Sequence, residues 1–270
     1  MLSTDRELSI LGTARDPIVA MEIMEKEWPD VIVLDIEMPR MDGLTFLKKI
    51  MTQRPTPVVI CSALAKSGSS KTITALQSGA ADIITKPKLA VKDFLEVEAP
   101  RFCSVLKAAA IANVQALKSS VEKIAKPPIF KTTTNKKVKK TSSAVIAIGA
   151  STGGTQAIEF ILSSLEESNF GIVITQHMPV KFTSAFAARL NKVSSLDVKE
   201  AENYDIILPG RVLVAPGDKH MLVCKSLKGY KVKLDDGPDV NRHKPSVDVL
   251  FESVAKTVGE NALGILLTGM

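Results

Sequence analysis

Ala144-Val-Ile-Ala-Ile-Gly149-Ala150-Ser151-Thr152-Gly153-Gly154 is the stretch on which the reading of this chain turns. A β-branched apolar run ends abruptly in a glycine-rich corner, and helix-forming residues resume at about Thr155. A continuous apolar run bounded in this way is the mark of a strand buried on both faces, as in a parallel sheet. In a parallel α/β domain the carboxyl ends of the strands face the ligand crevice, so the corner turns the Ser151 hydroxyl toward a crevice rather than a core. The spacing Gly149-x-Ser151-x-Gly153 also matches a nucleophile elbow, where glycines permit a turn too tight for larger side chains. Two chemistries fit the stretch equally. One is a serine nucleophile; the other is a glycine-rich turn whose backbone N–H groups cradle a phosphate at a helix N-terminus.

Downstream, Gly171-Ile-Val-Ile-Thr-Gln176 reads as a second buried strand that delivers His177, with a helix expected near residues 182–190. Shorter strands are expected at 211–215, 221–224 and 230–234, separated by turns at Pro216-Gly-Asp218 and Asp236-Gly-Pro238. Pro245 opens a helical pattern with Val247, Leu250, Phe251 and Val254 on one side, and 262–267 is a last strand before Thr268-Gly-Met270. Of the three histidines, His177 stands at a strand's carboxyl end, on the edge of Ser151 if the two strands are parallel. His220 begins a strand after a turn, and His243 lies in the polar loop Asn241-Arg-His-Lys244. His177 is therefore the candidate general base on the Ser151 hydroxyl, and later the general acid. The histidines show no metal-ligand spacing, which argues against zinc. A carboxylate that holds the imidazole tautomer is expected after the 262–267 strand. Asp218 and Asp248 are the other carboxylates, in turn and helix-start contexts where capping is the commoner role.

Upstream, strand-like and helix-like patterns alternate. Leu8-Ser-Ile-Leu-Gly-Thr13 reads as a short strand, Asp16-Pro-Ile18 as a helix start, and Val31-Ile-Val-Leu34 as a buried strand ending at Asp35. The stripe Leu44, Leu47, Ile50, Met51 predicts a helix, Pro57-Val-Val-Ile-Cys61 a strand ending at Ser62, and 72–78 a helix closed by Gly79. Ala81-Asp-Ile-Ile-Thr85 is a strand ending at Lys86-Pro87. This alternation predicts a parallel sheet with helices on both faces. Asp35, Ser62 and Lys86 then share one edge, where the Asp35 carboxylate would accept a phosphoryl group and Lys86 and Ser62 would bond its oxygens. Pro100 suits a helix N1 position, and Phe102, Val105, Leu106, Ala109, Val114, Leu117, Val121 and Ile124 recur at helical spacing behind it.

The 270 residues suffice for two ordinary domains, and 45% apolar with 24% charged residues is typical of a soluble globular chain. No run approaches the roughly 18–20 apolar residues of a transmembrane helix, and the N-terminus lacks a signal-peptide layout. The scattered cysteines Cys61, Cys103 and Cys224 read as reduced thiols of a cytoplasmic protein. The net charge of +6 is matched by six lysines between Ile124 and Ser143, a segment without acidic residues. The remainder is near neutral and aromatic residues are only 4%, so a solvated linker accounts for the charge better than nucleic-acid binding does.

Leu34-Asp-Ile-Glu-Met-Pro-Arg-Met-Asp-Gly43, Ser62-Ala63, Gly79-Ala80 and Thr85-Lys-Pro87 resemble the response-regulator receiver family over residues 2–105. The resemblance implies a flavodoxin-like fold, phosphorylation of Asp35, and Mg²⁺ held by Asp35 with an acidic pair that follows the family's first strand. That strand and pair have no counterpart here, Asp5 and Glu7 lying at the wrong edge. The expectation is a receiver without its first strand and with the remainder of its metal site missing.

Gly149-Ala-Ser-Thr-Gly-Gly154, Ile174-Thr-Gln-His-Met-Pro179, Ala215-Pro-Gly-Asp-Lys-His220, Asn241-Arg-His-Lys-Pro-Ser-Val-Asp248 and Leu266-Leu-Thr-Gly-Met270 resemble the chemotaxis methylesterase family from Ala144 onward. The resemblance implies a Rossmann-like, doubly wound α/β domain that hydrolyses glutamyl methyl esters and deamidates certain glutamines on chemoreceptor cytoplasmic domains. It makes Ser151 the nucleophile and His177 the base, without a cofactor for the ester chemistry. Backbone N–H groups near Thr152 and Met270 are the oxyanion-hole candidates. The family's triad aspartate follows the Leu-Thr-Gly-Met motif and so falls beyond Met270. The resemblance further implies phosphorylation by the chemotaxis histidine kinase, relieving a receiver that covers the active site. The expected domains are 1–105 (receiver), 106–143 (helix and lysine-rich linker) and 144–270 (methylesterase). The chain is expected to be incomplete at both ends, poorly active as it stands, cytoplasmic, and without membrane insertion. The other reading is a non-catalytic, receiver-linked module that binds a phosphorylated ligand at residues 149–154.

Overall fold

Parallel strands carry both halves of the chain in a computed structural model that describes residues 2–62, 66–86, 92–111, 142, 144–166, 169–180, 182–227 and 229–268. The chain divides into two units, Met1–Val121 and Glu122–Met270.

The first unit is built on three parallel strands in the order β1 (Ile32–Asp35), β2 (Val58–Ser62), β3 (Asp82–Thr85). Helices α1 (Pro17–Met24), α2 (Gly43–Gln53), α3 (Lys66–Gln77) and α4 (Lys92–Ala110) surround them. β2 is central, and Val58, Val59 and Ile60 are fully buried, as a strand covered on both faces requires. Asp16 starts α1 by accepting hydrogen bonds from the amides of Ile18 and Val19, and Asp42 starts α2 through Leu44 and Thr45. One core cluster joins Val59, Ala81 and Ile84 of the sheet region to Phe102, Leu106 and Ala109 of α4.

Three expectations change here. Residues 8–13 form no strand; Ile10 and Leu11 are exposed instead. A strand needs a neighbour's amides and carbonyls, and β2 is the sole ladder partner of β1 among the described residues. Pro100 lies inside α4, not at its start. Its fixed φ is helical, but it removes one N–H donor and its ring crowds the carbonyl four residues earlier, at a cost of about 3 kcal/mol. The helix at 72–78 begins earlier, at Lys66. The apolar stripe expected at 114–124 and the lysine-rich segment lie outside the described residues.

The second unit holds a five-stranded, all-parallel sheet in the order β10-β4-β5-β7-β6. Its strands are β4 (Val145–Ala150), β5 (Gly171–Gln176), β6 (Asp197–Glu200), β7 (Arg211–Val214) and β10 (Ala262–Leu266). β8 (His220–Ser226) and β9 (Gly229–Asp235) form a separate antiparallel hairpin. Helices α5 (Gly154–Ser164), α6 (Phe182–Val193) and α7 (Val247–Val258) complete it. Val145, Ala147 and Val173 face a core shared with Leu250 and Val254 of α7 and with Met221, Val223 and Val232 of the hairpin. Ile148, Ile172 and Ile174, of opposite parity along the strands, are buried on the other face. α5 and α6 are tied by the Arg189–Glu159 ion pair at 2.7 Å. β6 was not legible in the sequence: Asp-Val-Lys-Glu carries one apolar residue, as suits a short charged edge strand. No helix among the described residues is long and apolar enough to cross a membrane.

The second sheet places its ligand edge by topology. From β4 the chain crosses to β5 on one side, while β10 lies on the other, so the strand order reverses beside β4. The crevice of an open parallel sheet lies at the carboxyl ends of the strands at such a point. Ser151 directly follows β4.

Candidate active site

The β4–α5 corner is held by backbone hydrogen bonds from both neighbouring strands. The Ser151 amide donates to the Thr268 carbonyl at 3.1 Å, and the His177 amide donates to the Ala150 carbonyl at 3.0 Å. The Gly154 amide closes the turn onto the Ser151 carbonyl at 2.8 Å. Gly153 takes a left-handed φ of 77°, which a glycine adopts without a Cβ penalty. The Ser151 and Gly154 amides are both taken by carbonyls.

β4 and β5 run parallel with Ala150 opposite Gln176, so the next residues on each strand meet. The Ser151 hydroxyl lies 3.2 Å from His177 Nδ1, and both side chains are buried. For Nδ1 to accept the serine proton, the neutral ring must carry its hydrogen on Nε2. The group that fixes this tautomer must therefore face Nε2. Asp248 is engaged elsewhere, accepting from Asn241 Nδ2 at 2.6 Å, and Asp218 is exposed in the turn before β8. Thr152 is buried next to the nucleophile, and its carbonyl accepts from the Thr268 hydroxyl at 3.1 Å. Met270 lies outside the described residues.

Two participants stand inside the motifs that carry the resemblance, but the sequence assigns them no role. Gln176, fully buried, donates from Nε2 to the Ser151 carbonyl at 2.9 Å and to the His177 carbonyl at 3.1 Å, so one amide ties the two backbones together. A Cβ on Gly154 would stand 2.2 Å from Gln176 Oε1, so this arrangement requires glycine there. A glutamine ending an apolar run offers no sequence signal of that role. The second is His243, whose ring lies flat on His177 with centroids 3.8 Å apart and planes within 6°. About 66 positions separate the two, and no periodicity links them.

In the first unit, β1, β2 and β3 end side by side and place Asp35, Ser62 and Lys86 at one edge. The Lys86 ammonium hydrogen-bonds the Asp35 carboxylate, which holds the lysine above its ordinary pKa. The Lys86 amide donates to the Ser62 carbonyl at 2.8 Å, and the Ser62 hydroxyl lies 3.4 Å from the Thr72 hydroxyl. Among the described residues no group of three or more His, Cys, Asp or Glu side chains could hold a metal ion, so they do not by themselves make up a Mg²⁺ site around Asp35.

Comparison with known proteins places both units. The family model of the response regulator receiver domain matches residues 1–95, and that of the CheB methylesterase matches 146–270. Protein-glutamate methylesterase/protein-glutamine glutaminase 3 of Shewanella oneidensis is 52% identical over 279 aligned positions, covering 100% of this chain and 78% of the relative. The corresponding protein 1 of Xanthomonas oryzae pv. oryzae is 50% identical, covering 100% of this chain and 79% of the relative. The crystal structure of the Thermotoga maritima CheB methylesterase catalytic domain shares 36% identity over 48% of this chain and 69% of its own, with a TM-score of 0.46. With a receiver and a methylesterase domain in one order and half its residues shared along its whole length, the chain belongs to the CheB family of protein-glutamate methylesterases/protein-glutamine glutaminases.

Proposed function

We propose that Ser151 and His177 carry out the hydrolysis of glutamyl methyl esters, and the deamidation of particular glutamines, on chemoreceptor cytoplasmic domains. The observation that carries this is the 3.2 Å contact between Ser151 Oγ and His177 Nδ1 at adjacent strand ends, within the segment that matches the methylesterase model. Ser151 Oγ attacks the ester carbonyl carbon while His177 Nδ1 takes its proton. The tetrahedral oxyanion is met by backbone donors, for which the Thr152 amide is our candidate. His177 then passes the proton to the departing methoxide, or to ammonia's nitrogen in deamidation. Water, deprotonated by the same imidazole, releases the carboxylate and restores Ser151.

In the receiver unit, Asp35 is the proposed phosphoryl acceptor from a chemotaxis histidine kinase, with Lys86 and Ser62 placed to bond the phosphoryl oxygens. Asp35 would be this unit's carboxylate toward Mg²⁺, with the rest of such a site not supplied by the described residues. We place the reaction in the cytoplasm, where both the kinase and the receptor helices act.

A fluorophosphonate probe followed by peptide mapping tests the catalytic assignment, together with methanol release from methylated receptor. Labelling at Ser151 that requires His177 is expected. A folded chain that neither labels at Ser151 nor releases methanol would overturn it.

A further inference from the structure

We propose that His243 is a positioning residue for the general base: its ring, stacked on His177, fixes the plane of that imidazole so that Nδ1 stays aimed at Ser151 Oγ. The inference rests on the reading of His177 as the base of Ser151. The torsion that turns an imidazole about its Cβ–Cγ bond has a broad minimum, so a hydrogen bond at one ring nitrogen does not fix the plane by itself. Gln176 holds the backbone carbonyl of His177 but not its ring. The flat face of His243, 3.8 Å away and within 6° of parallel, supplies a restraint on the plane.

A restraint works only if it is itself held, and the loop bearing His243 is held at several points. Val240 and His243 exchange backbone hydrogen bonds, each 3.1 Å, across a two-residue turn. Asn241 (φ 51°) and Arg242 (φ 64°) are both left-handed there, a conformation that non-glycine residues keep only when their surroundings impose it. His243 Nδ1 donates to the Asn241 carbonyl at 2.7 Å, which sets the ring's own rotation. Asn241 is fastened to Asp248 in the first turn of α7. Buried His220 clamps both ends of the loop, with Nε2 donating to the Pro238 carbonyl at 2.9 Å and Nδ1 accepting from the Ser246 amide at 3.1 Å. The loop's far end runs into Val247, whose methyl groups occupy the space that a Cβ on Gly149 would need, 2.3 Å from the nearest. The His243 loop is thus docked directly beside the nucleophile turn.

The test uses the full chain and three versions of position 243. The limiting rate and half-saturation of Ser151 labelling by a fluorophosphonate are measured for wild type, His243→Ala and His243→Phe. A misplacement of about 1 Å typically costs on the order of 10²-fold, so His243→Ala is expected to lower the limiting rate by roughly 10–100-fold, with half-saturation changed less than about twofold. His243→Phe restores a flat ring and is expected to recover the rate to within about threefold. An unchanged limiting rate in His243→Ala, or equal impairment of the two variants, would overturn the proposal. Wild-type NMR gives a readout independent of any variant: cross-relaxation between the ring protons of His177 and His243 is expected, and its absence removes the stack. A wild type that shows this cross-relaxation but never labels at Ser151 would count against the catalytic assignment instead.

Discussion

Ser151 and His177 meet because β4 and β5 are parallel neighbours in register, with Ala150 opposite Gln176, and each functional residue is the next one along its strand. The pair is therefore a property of strand register, and its sensitivity to substitution follows from that. Ser151→Ala is expected to abolish labelling by a serine-directed probe. His177→Gln is expected to lower the acylation rate by about 10²–10⁴-fold, the usual contribution of a positioned base. Stopped-flow acylation with an activated ester measures both.

Gln176 supplies two N–H donors to two buried carbonyls, so its replacement leaves acceptors without partners. An unsatisfied buried polar group costs about 1–3 kcal/mol. Gln176→Ala is expected to destabilise the chain by at least ~2 kcal/mol, since both carbonyls lose their donor. Gln176→Glu is close in shape but replaces the donor with an acceptor, and is expected to be no better. Urea unfolding compares the two; a near-neutral Gln176→Glu would show the amide to be turned the other way.

Gly149 is dictated by Val247, since the nearest methyl of Val247 lies 2.3 Å from where a Cβ would stand. Gly149→Ala is expected to cost about 1–3 kcal/mol through overpacking. Val247→Ala removes the two methyl groups most in the way, so the double variant should be less unstable than the sum of the singles. A double-mutant cycle measures that coupling, expected at about 0.5 kcal/mol or more for residues in contact.

In the first unit, buried Asp16 both caps α1 and pairs with Arg40. Asp16→Asn keeps a capping oxygen and loses the ion pair, whereas Asp16→Ala loses both. The alanine variant should be less stable than the asparagine variant by about 0.5–2 kcal/mol, the range for losing a cap. Thermal or urea unfolding of the two resolves it.

Lys86 is held above its ordinary pKa, chiefly by its hydrogen bond to Asp35. A raised pKa in the folded state contributes stability that is complete below the unfolded value and is lost as pH rises through the folded value. Both side chains are partly exposed, so the contribution is at most ~1 kcal/mol. Asp35→Asn is expected to bring the Lys86 titration down toward its ordinary value, followed by NMR of the lysine side chain. Its small stability deficit should vanish at strongly alkaline pH.

The class of fold is legible in the order of residues, and so is the glycine corner that carries Ser151. Gly171-Ile-Val-Ile-Thr-Gln176 is a local signal, because a strand covered on both faces must be apolar throughout, whereas Val31-Ile-Val-Leu34 predicts the strand but not its burial, Val33 being 41% exposed. Each is followed by a polar residue at its carboxyl end, Asp35 and His177, just as the glycine corner carries Ser151. Residues 8–13 mislead for the complementary reason: a strand-like composition is not a strand without a neighbour to complete its hydrogen bonds. Pro100 misleads because proline is favoured at a helix start and costly in an interior, yet here it lies inside α4.

Residue order alone therefore determined most of the strands, where each ends, and which reactive group stands at each end, since these depend on hydrophobic period and turn chemistry over a few neighbouring positions. Tertiary structure decided what touches what across the chain. It set the reversal of strand order beside β4, the Gln176 amide shared between the Ser151 and His177 carbonyls, and the His243 ring laid on His177. Those contacts join segments tens of residues apart through packing and register, and no local pattern encodes a distance that only the folded chain creates.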